Sequence, residues 1–430
     1  MARIVFKQFL IVLTSWLLFI SGAYADSYLA KPTGEYGIGF KDIHFQDNNR
    51  CPDIFYKVGL NESDYSPENA NHCREIMIRA YYPTNMPVVV GDSSYASLIQ
   101  HFKDLVTGTP NIESKDIQEF DKLQSYSLIN IAPANPINHE KFPIVLFSHG
   151  GNWSVQDYEN EITNLVSHGY VVVAINSFFV GNYITLPNEH IVHVDMTASQ
   201  SDGFKAIQSD IMFTYDVLHK ITDKVKITKN VDFDNIGIFG HSAGGRALAN
   251  LIHSNNPKYI FKAASALDMG LGVEDIHDNA IVVDSFNIPF LHEISGAGFY
   301  AIHTAGASLK YILGNDNYLV GLAPNDAVLQ TTTPPFYTTH IEFSDENTIK
   351  SMPVMEIYRD YTKTKGLDRY GTADSYYDVK SINIPLVEFF DTYLKNIPNP
   401  VFNGNICVPL SPNTIISCGP TVFPNQNIYK

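Results

Sequence analysis

Gly240-His241-Ser242-Ala243-Gly244 sets a serine between two glycines, and Gly245 extends the turn. A serine there serves as a nucleophile when the chain folds sharply from a strand into a helix. The hydroxyl then projects from the sheet edge and the free N–H groups of the helix start face the reacting oxygen. The apolar run Ile236-Gly-Ile-Phe239 before it and residues 246–253 after it supply that strand and helix. Such a hydroxyl needs a base to take its proton, and the base needs an acid to orient it. In chains with this turn the order is serine, acid, histidine. Asp268 ends the next strand segment, Ala266-Leu267-Asp268, and His340 follows the last expected strand in Tyr337-Thr-Thr-His-Ile-Glu-Phe-Ser-Asp345. The chemistry these types and spacings describe is acyl transfer through a Ser242–His340–Asp268 triad.

Other residues compete for the same roles. Glu293 lies inside the apolar run of the strand after Asp268, and Asp275, Asp278 and Asp284 occupy the loop between the two, Asp284 being the best placed. His292 is mid-strand and reads as a core histidine, and His303 falls in an expected helix. His149-Gly150-Gly151 follows another buried strand; a turn of this kind donates a backbone N–H to a developing oxyanion, with Ala243 giving a second, and His149 itself reads as a hydrogen-bonded support. His190, His193 and Asp195 sit in an expected loop without a third convincing metal ligand. Asp232-Phe-Asp-Asn-Ile-Gly237 has isoleucine where a calcium loop needs an oxygen, and the sequence has neither His-Glu-x-x-His nor a phosphate-binding glycine loop. No cofactor or metal is expected.

These residues demand a framework, and from residue 142 the sequence supplies one. Strand-like runs at 142–148, 170–175, 235–239, 263–267, 288–294 and 318–322 alternate with helical segments, one of which carries Tyr158, Ile162, Leu165 and Val166 on one face. The alternation predicts an α/β fold with a mostly parallel central sheet, helices on both faces and inserted cap or loop segments. Residues 74–82 predict a strand and 386–394 a closing helix. The expected organisation is a leader over 1–25, one catalytic domain over 26–398 with possible insertions or a lid at 91–140 and 181–203, and a loop-like tail over 399–430.

The chain has 430 residues, 45% hydrophobic and 17% charged, with a net charge of −16. That excess of acid disfavours a nucleic-acid partner and electrostatic docking on an anionic membrane. Arg3 and Lys7, the apolar run 9–20 and Ala23-Tyr24-Ala25 form a signal-peptide pattern with a cut after Ala25. The run is too short for a membrane span, and the processed chain would carry −18. Export to the periplasm or medium makes disulfides the default for the four cysteines, and their proximity pairs Cys51 with Cys73 and Cys407 with Cys418.

The segment Asp232-Phe-Asp-Asn-Ile-Gly-Ile-Phe-Gly-His-Ser-Ala-Gly-Gly245 resembles the serine turn of the platelet-activating factor acetylhydrolases of the plasma and intracellular type II group. Phe147-Ser-His-Gly150, Ala266-Leu-Asp268, the 340–345 segment and Gly34-Glu-Tyr-Gly-Ile-Gly39 are similar to other parts of that family. The resemblance spans about residues 32–395. It implies the α/β-hydrolase fold, Ser242 as nucleophile, Asp268 as acid, His340 as base, and Gly151 and Ala243 as oxyanion donors. It also implies calcium-independent hydrolysis of short or oxidised acyl esters of phospholipids, with carboxylesterases, lipases and polyester hydrolases as alternatives. A non-catalytic binding module on the same scaffold is the alternative of another class; such modules lose the nucleophile or the histidine, and this sequence keeps all three residues.

Overall fold

The computed structural model describes residues 29–51, 53, 73–90, 96–137, 140–177, 183–185, 191–193, 200–269, 286–295, 317–322, 340–365, 375–399 and 415–418. In chain order its elements are β1 (Gly37–Asp47), β2 (Arg74–Thr84), α1 (Ala96–Val106), α2 (Ser114–Ile117), β3 (Ser127–Ile129), β4 (Phe142–Ser148), α3 (Glu159–Ser167), β5 (Val171–Ser177), β6 (Tyr183–Thr185) and β7 (Ile191–His193). There follow α4 (Gln200–Asp216), α5 (Leu218–Lys224), β8 (Val231–His241), α6 (Ser242–His253), β9 (Ala263–Leu267), β10 (Phe290–Ser295), β11 (Asn317–Leu322), α7 (Glu346–Ile349), α8 (Pro353–Thr364), α9 (Ser375–Leu394) and β12 (Ile415–Cys418).

Ten of these strands form one sheet in the order β12-β11-β10-β9-β8-β4-β5-β2-β1-β3. The β10–β11, β9–β10, β8–β9, β4–β8, β4–β5 and β1–β3 pairs are parallel, and β1–β2, β2–β5 and β11–β12 are antiparallel. β4 and β5 are buried at all seven positions, as apolar strands covered on both faces must be. Alternate side chains feed two cores. Val145, Phe147, Phe239, Leu267 and Leu291 meet Ile162 and Leu165 of α3 and Leu386 and Phe390 of α9 on one face. Ile144, Leu146, Ile238, Ala266 and Phe290 meet Ile207, Leu218 and Leu248 of α4, α5 and α6 on the other. Each of these side chains larger than Ala266 contributes about 1.5–3 kcal/mol on burial, and together they hold the carboxyl ends of the parallel strands at one rim.

The structure differs from the sequence reading in several places. Residues 91–140 are not wholly an insertion, because β3 joins the main sheet beside β1. The tail over 399–430, read as loop, contributes β12 to the sheet edge. The closing helix begins at Ser375, not 386, and runs through Pro385; burial of Ile382, Leu386, Phe389, Phe390 and Leu394 outweighs the backbone hydrogen bond that proline removes.

Cys51 and Cys73 are joined by a disulfide. The residues flanking it converge on the fully buried Asp210 of α4: Arg74 donates to both carboxylate oxygens at 3.1 and 2.6 Å, and Arg50 donates at 2.7 Å. Cys407, the proposed partner of Cys418, and the leader over 1–25 lie outside the described residues. Among the described residues no helix is long and apolar enough to cross a membrane.

Candidate active site

Three strand ends and one loop build the site. Ser242 follows β8 and opens α6, with φ at 49°. That left-handed backbone is the sharp strand-to-helix turn, and a non-glycine residue held there signals local strain. Close packing fixes the turn: a Cβ on Gly244 would lie 2.2 Å from the carbonyl oxygen of Ser148 and 2.6 Å from that of His149. The nucleophile turn and the turn after β4, which carries Gly151, therefore pack backbone against backbone, and glycine at 244 is a steric requirement.

Asp268 stands just beyond β9, also left-handed at φ 40°. Its N–H donates to the carbonyl of Glu293 at 2.7 Å, and its Oδ1 accepts the N–H of Ser295 at 2.9 Å. β10 thus orients the carboxylate so that Oδ2 meets the Nδ1 of His340 at 2.7 Å. His340 opens a single 3₁₀ turn (His340–Phe343), and its Nε2 is 2.8 Å from the Oγ of Ser242. A carboxylate accepts, so Nδ1 of His340 carries the proton and Nε2 is bare to receive the serine proton. Burial opposes ionisation of Asp268, but the hydrogen bond from His340 and the N–H of Ser295 hold its carboxyl below its ordinary value. The imidazole of His340 is 40% exposed while Asp268 is only 6% exposed. The His340 ring is thus partly open to solvent, and the carboxylate that orients it is buried.

The structure brings Ser242, Asp268 and His340 into one hydrogen-bonded line and sets Gly151 and Ala243 on the two turns flanking the serine. Two rival residues, Glu293 and His292, lie within β10. Glu293 is fully buried within β10, and neither carboxyl oxygen has a hydrogen-bond partner among the described residues. His292 is buried likewise, and burial lowers its imidazole to about 4, which makes it a neutral core residue. His149 donates from Nδ1 to the Gly150 carbonyl at 2.7 Å and accepts the Ser177 N–H at Nε2. Asp275, Asp278, Asp284, His303, His190 and Asp195 are outside the described residues. His193, expected in a loop, belongs to β7, which pairs with β6. Among the described residues no three His, Cys, Asp or Glu side chains are arranged to hold a metal ion. Sequence reasoning missed Trp153, whose ring lies 5.9 Å from that of His340, and Ser295, which works through its backbone alone and so leaves no side-chain signature.

Comparison with known proteins gives the fold its relatives. The family described as platelet-activating factor acetylhydrolase, isoform II, matches residues 26–177, and the family described as chlorophyllase matches residues 106–280. Among solved structures, a ferulic acid esterase from Streptomyces cinnamoneus superposes with a TM-score of 0.62 at 18% identity, over 90% of this chain and 98% of that one. No curated protein matches the chain. The chain has the α/β-hydrolase fold, and over residues 26–177 it is similar to the platelet-activating factor acetylhydrolases.

Proposed function

We propose that this chain is a serine ester hydrolase. The observation that carries the reading is the line from Ser242 through His340 to Asp268, with hydrogen bonds of 2.8 and 2.7 Å. In the proposed reaction His340 takes the proton of Ser242 at Nε2 while Oγ attacks the ester carbonyl. The oxyanion is stabilised by the N–H groups of Gly151 and Ala243. The alcohol leaves with the proton from His340, and water resolves the acyl-enzyme by the same path. The cysteine bridge and the leader pattern support export with cleavage after Ala25.

The proposed substrates are short or oxidised acyl esters of phospholipids, on the similarity to platelet-activating factor acetylhydrolase over residues 26–177. A broader carboxylic esterase is the second reading, favoured by the chlorophyllase match, which spans the nucleophile turn, and by the fold shared with a ferulic acid esterase. Ser242→Ala is expected to lower kcat/KM on a short nitrophenyl ester by at least about 1,000-fold with an unchanged thermal transition. Activity surviving in that variant, or failure of a fluorophosphonate probe to label Ser242, overturns the reading. Initial rates on an acetylated phospholipid, a phospholipid with long acyl chains and a hydroxycinnamate ester separate the two substrate classes.

A further inference from the structure

His241, the residue before the serine, sits behind the triad in a closed, dry packing. Its ring lies 4.6 Å from that of His340, 5.1 Å from that of Trp153 and 6.0 Å from that of Phe343. Its two nitrogens meet different partners. Nδ1 is 2.7 Å from the hydroxyl of Tyr158, and Nε2 is 3.1 Å from the backbone carbonyl oxygen of His340. The Tyr158 hydroxyl in turn accepts the N–H of Gly150 at 3.1 Å.

The proton positions follow by elimination. A carbonyl oxygen only accepts, so Nε2 of His241 is the protonated nitrogen, and a neutral imidazole then offers Nδ1 as an acceptor. Tyr158 must point its O–H at Nδ1 while its lone pair receives the Gly150 N–H. Burial, reinforced by the nearby His340, holds His241 well below its ordinary value, and burial holds the Tyr158 hydroxyl well above its own. Both groups therefore stay neutral and the arrangement does not titrate away. There is no slack in the junction: a Cβ on Gly150 would lie 2.7 Å from the Trp153 ring, 2.9 Å from Nδ1 of His241 and 3.0 Å from the Tyr158 oxygen.

We propose that Tyr158 and His241 are positioning residues, forming a one-way line of donors that ties the turn carrying Gly151 to the backbone carbonyl of His340. The inference rests on the proposed ester hydrolase reading, since it assigns these residues the task of holding two parts of that site in mutual register. Neither residue touches the reacting atoms. Their hydrogen bonds fix the peptide that bears the base and the peptide adjoining the oxyanion donor, so one displacement disturbs both.

The test uses the full chain with three substitutions and two readouts. Tyr158→Phe keeps the ring packed against Phe147, 4.8 Å away, but removes the O–H. His241→Leu removes both nitrogens, and His241→Gln returns an N–H toward the His340 carbonyl. Misplacement of catalytic groups is expected to lower kcat by about tenfold in Tyr158→Phe and about 100-fold in His241→Leu, with KM unchanged, and His241→Gln is expected to recover to within about fivefold of the parent. Thermal transitions identify any variant that has merely unfolded. Nitrogen-15 NMR of labelled histidines is expected to show His241 as the neutral Nε2–H tautomer, with an Nδ1 shift altered in Tyr158→Phe. A protonated Nδ1 overturns the proposal without reference to turnover. So does a folded His241→Leu with the parent's kcat, or a folded His241→Gln no better than His241→Leu. An inactive parent chain defeats the hydrolase reading and this role with it, whereas an active parent with unaffected variants defeats this role alone.

Discussion

On the face of the sheet covered by α4, α5 and α6 the buried side chains are mainly aliphatic, and the buried charges there include the Arg74–Asp210 pair. On the face covered by α3, α7 and α9, fully or almost fully buried Glu159, Glu161, Glu293, Asp345 and Glu346 share the interior with the hydrophobic core. The contrast has a physical reason. The apolar face only has to hold the sheet and the nucleophile helix together, whereas the other face must also receive the segment bearing His340. Asp345, five residues beyond His340, accepts the N–H groups of Glu159 and Asn160 at 2.9 and 3.0 Å. It thereby caps the start of α3 from a distant part of the chain. Glu159 accepts the Tyr81 hydroxyl at 2.5 Å and the hydroxyls of Ser125 and Ser127 at 2.7 and 3.0 Å. Non-directional packing would leave the loop free to slide; these directional bonds set its position.

Directional bonding in a dry interior has a cost that the two faces carry differently. On the apolar face the charges are matched, and Arg74 holds Asp210 bidentately. Removing Arg74 leaves the buried Asp210 with Arg50 alone, so Arg74→Met is expected to lower unfolding free energy by up to about 3–5 kcal/mol, while Arg74→Met with Asp210→Leu together recovers part of that loss. Denaturant titration measures both, and a harmless Arg74→Met would break the contrast. The bridge whose neighbours are Arg50 and Arg74 comes next. Cys51→Ser with Cys73→Ser is expected to cost about 2–4 kcal/mol by the same measurement.

On the polar face several buried carboxyls face one another, and the smallest of these effects sharpens the contrast. Burial pushes Glu161 up to about 8, and Asp345 and Glu293, buried and facing Glu161, also stand well above the ordinary carboxylate range. One oxygen of Glu161 has no hydrogen-bond partner among the described residues. The folded chain therefore holds a proton at Glu161 that the unfolded chain releases. The associated stability is full below the unfolded value near 4.5 and is lost as pH rises toward 8. Glu161→Gln is expected to flatten the decline of unfolding free energy with pH, by up to about 1.4 kcal/mol per pH unit across that window. Parallel pH profiles for the two proteins would show that the carboxyl does not carry the proton.

Legibility in the sequence followed burial. β4 and β9 match the bounds read from their apolar runs, because strands buried on both faces leave an uninterrupted signal. β1, with Lys41, Asp42 and His44 in its middle, is paired with β2 along its whole length yet has no such run, and β12 is short and isolated in sequence. At the site, Ser242, Asp268 and His340 were legible because the glycine turn and the strand ends mark them. Tyr158 and His241 were not, since one read as an apolar-face residue, and their backbone partners, the Gly150 amide and the distant His340 carbonyl, leave no side-chain signal. Glu159, Glu161 and Asp345 were equally opaque: acids on a helix or in a loop read as solvent-facing until the fold shows what covers them.

The left-handed backbone at 242 also constrains which hydroxyl amino acid the position accepts. Threonine offers the same reactive oxygen, but its branched β-carbon crowds the adjacent peptide at positive φ. The elbow therefore screens candidate nucleophiles by shape before reactivity enters. Among hydroxyl-bearing residues, the unbranched one alone fits without prising apart the two turns that meet at Gly244.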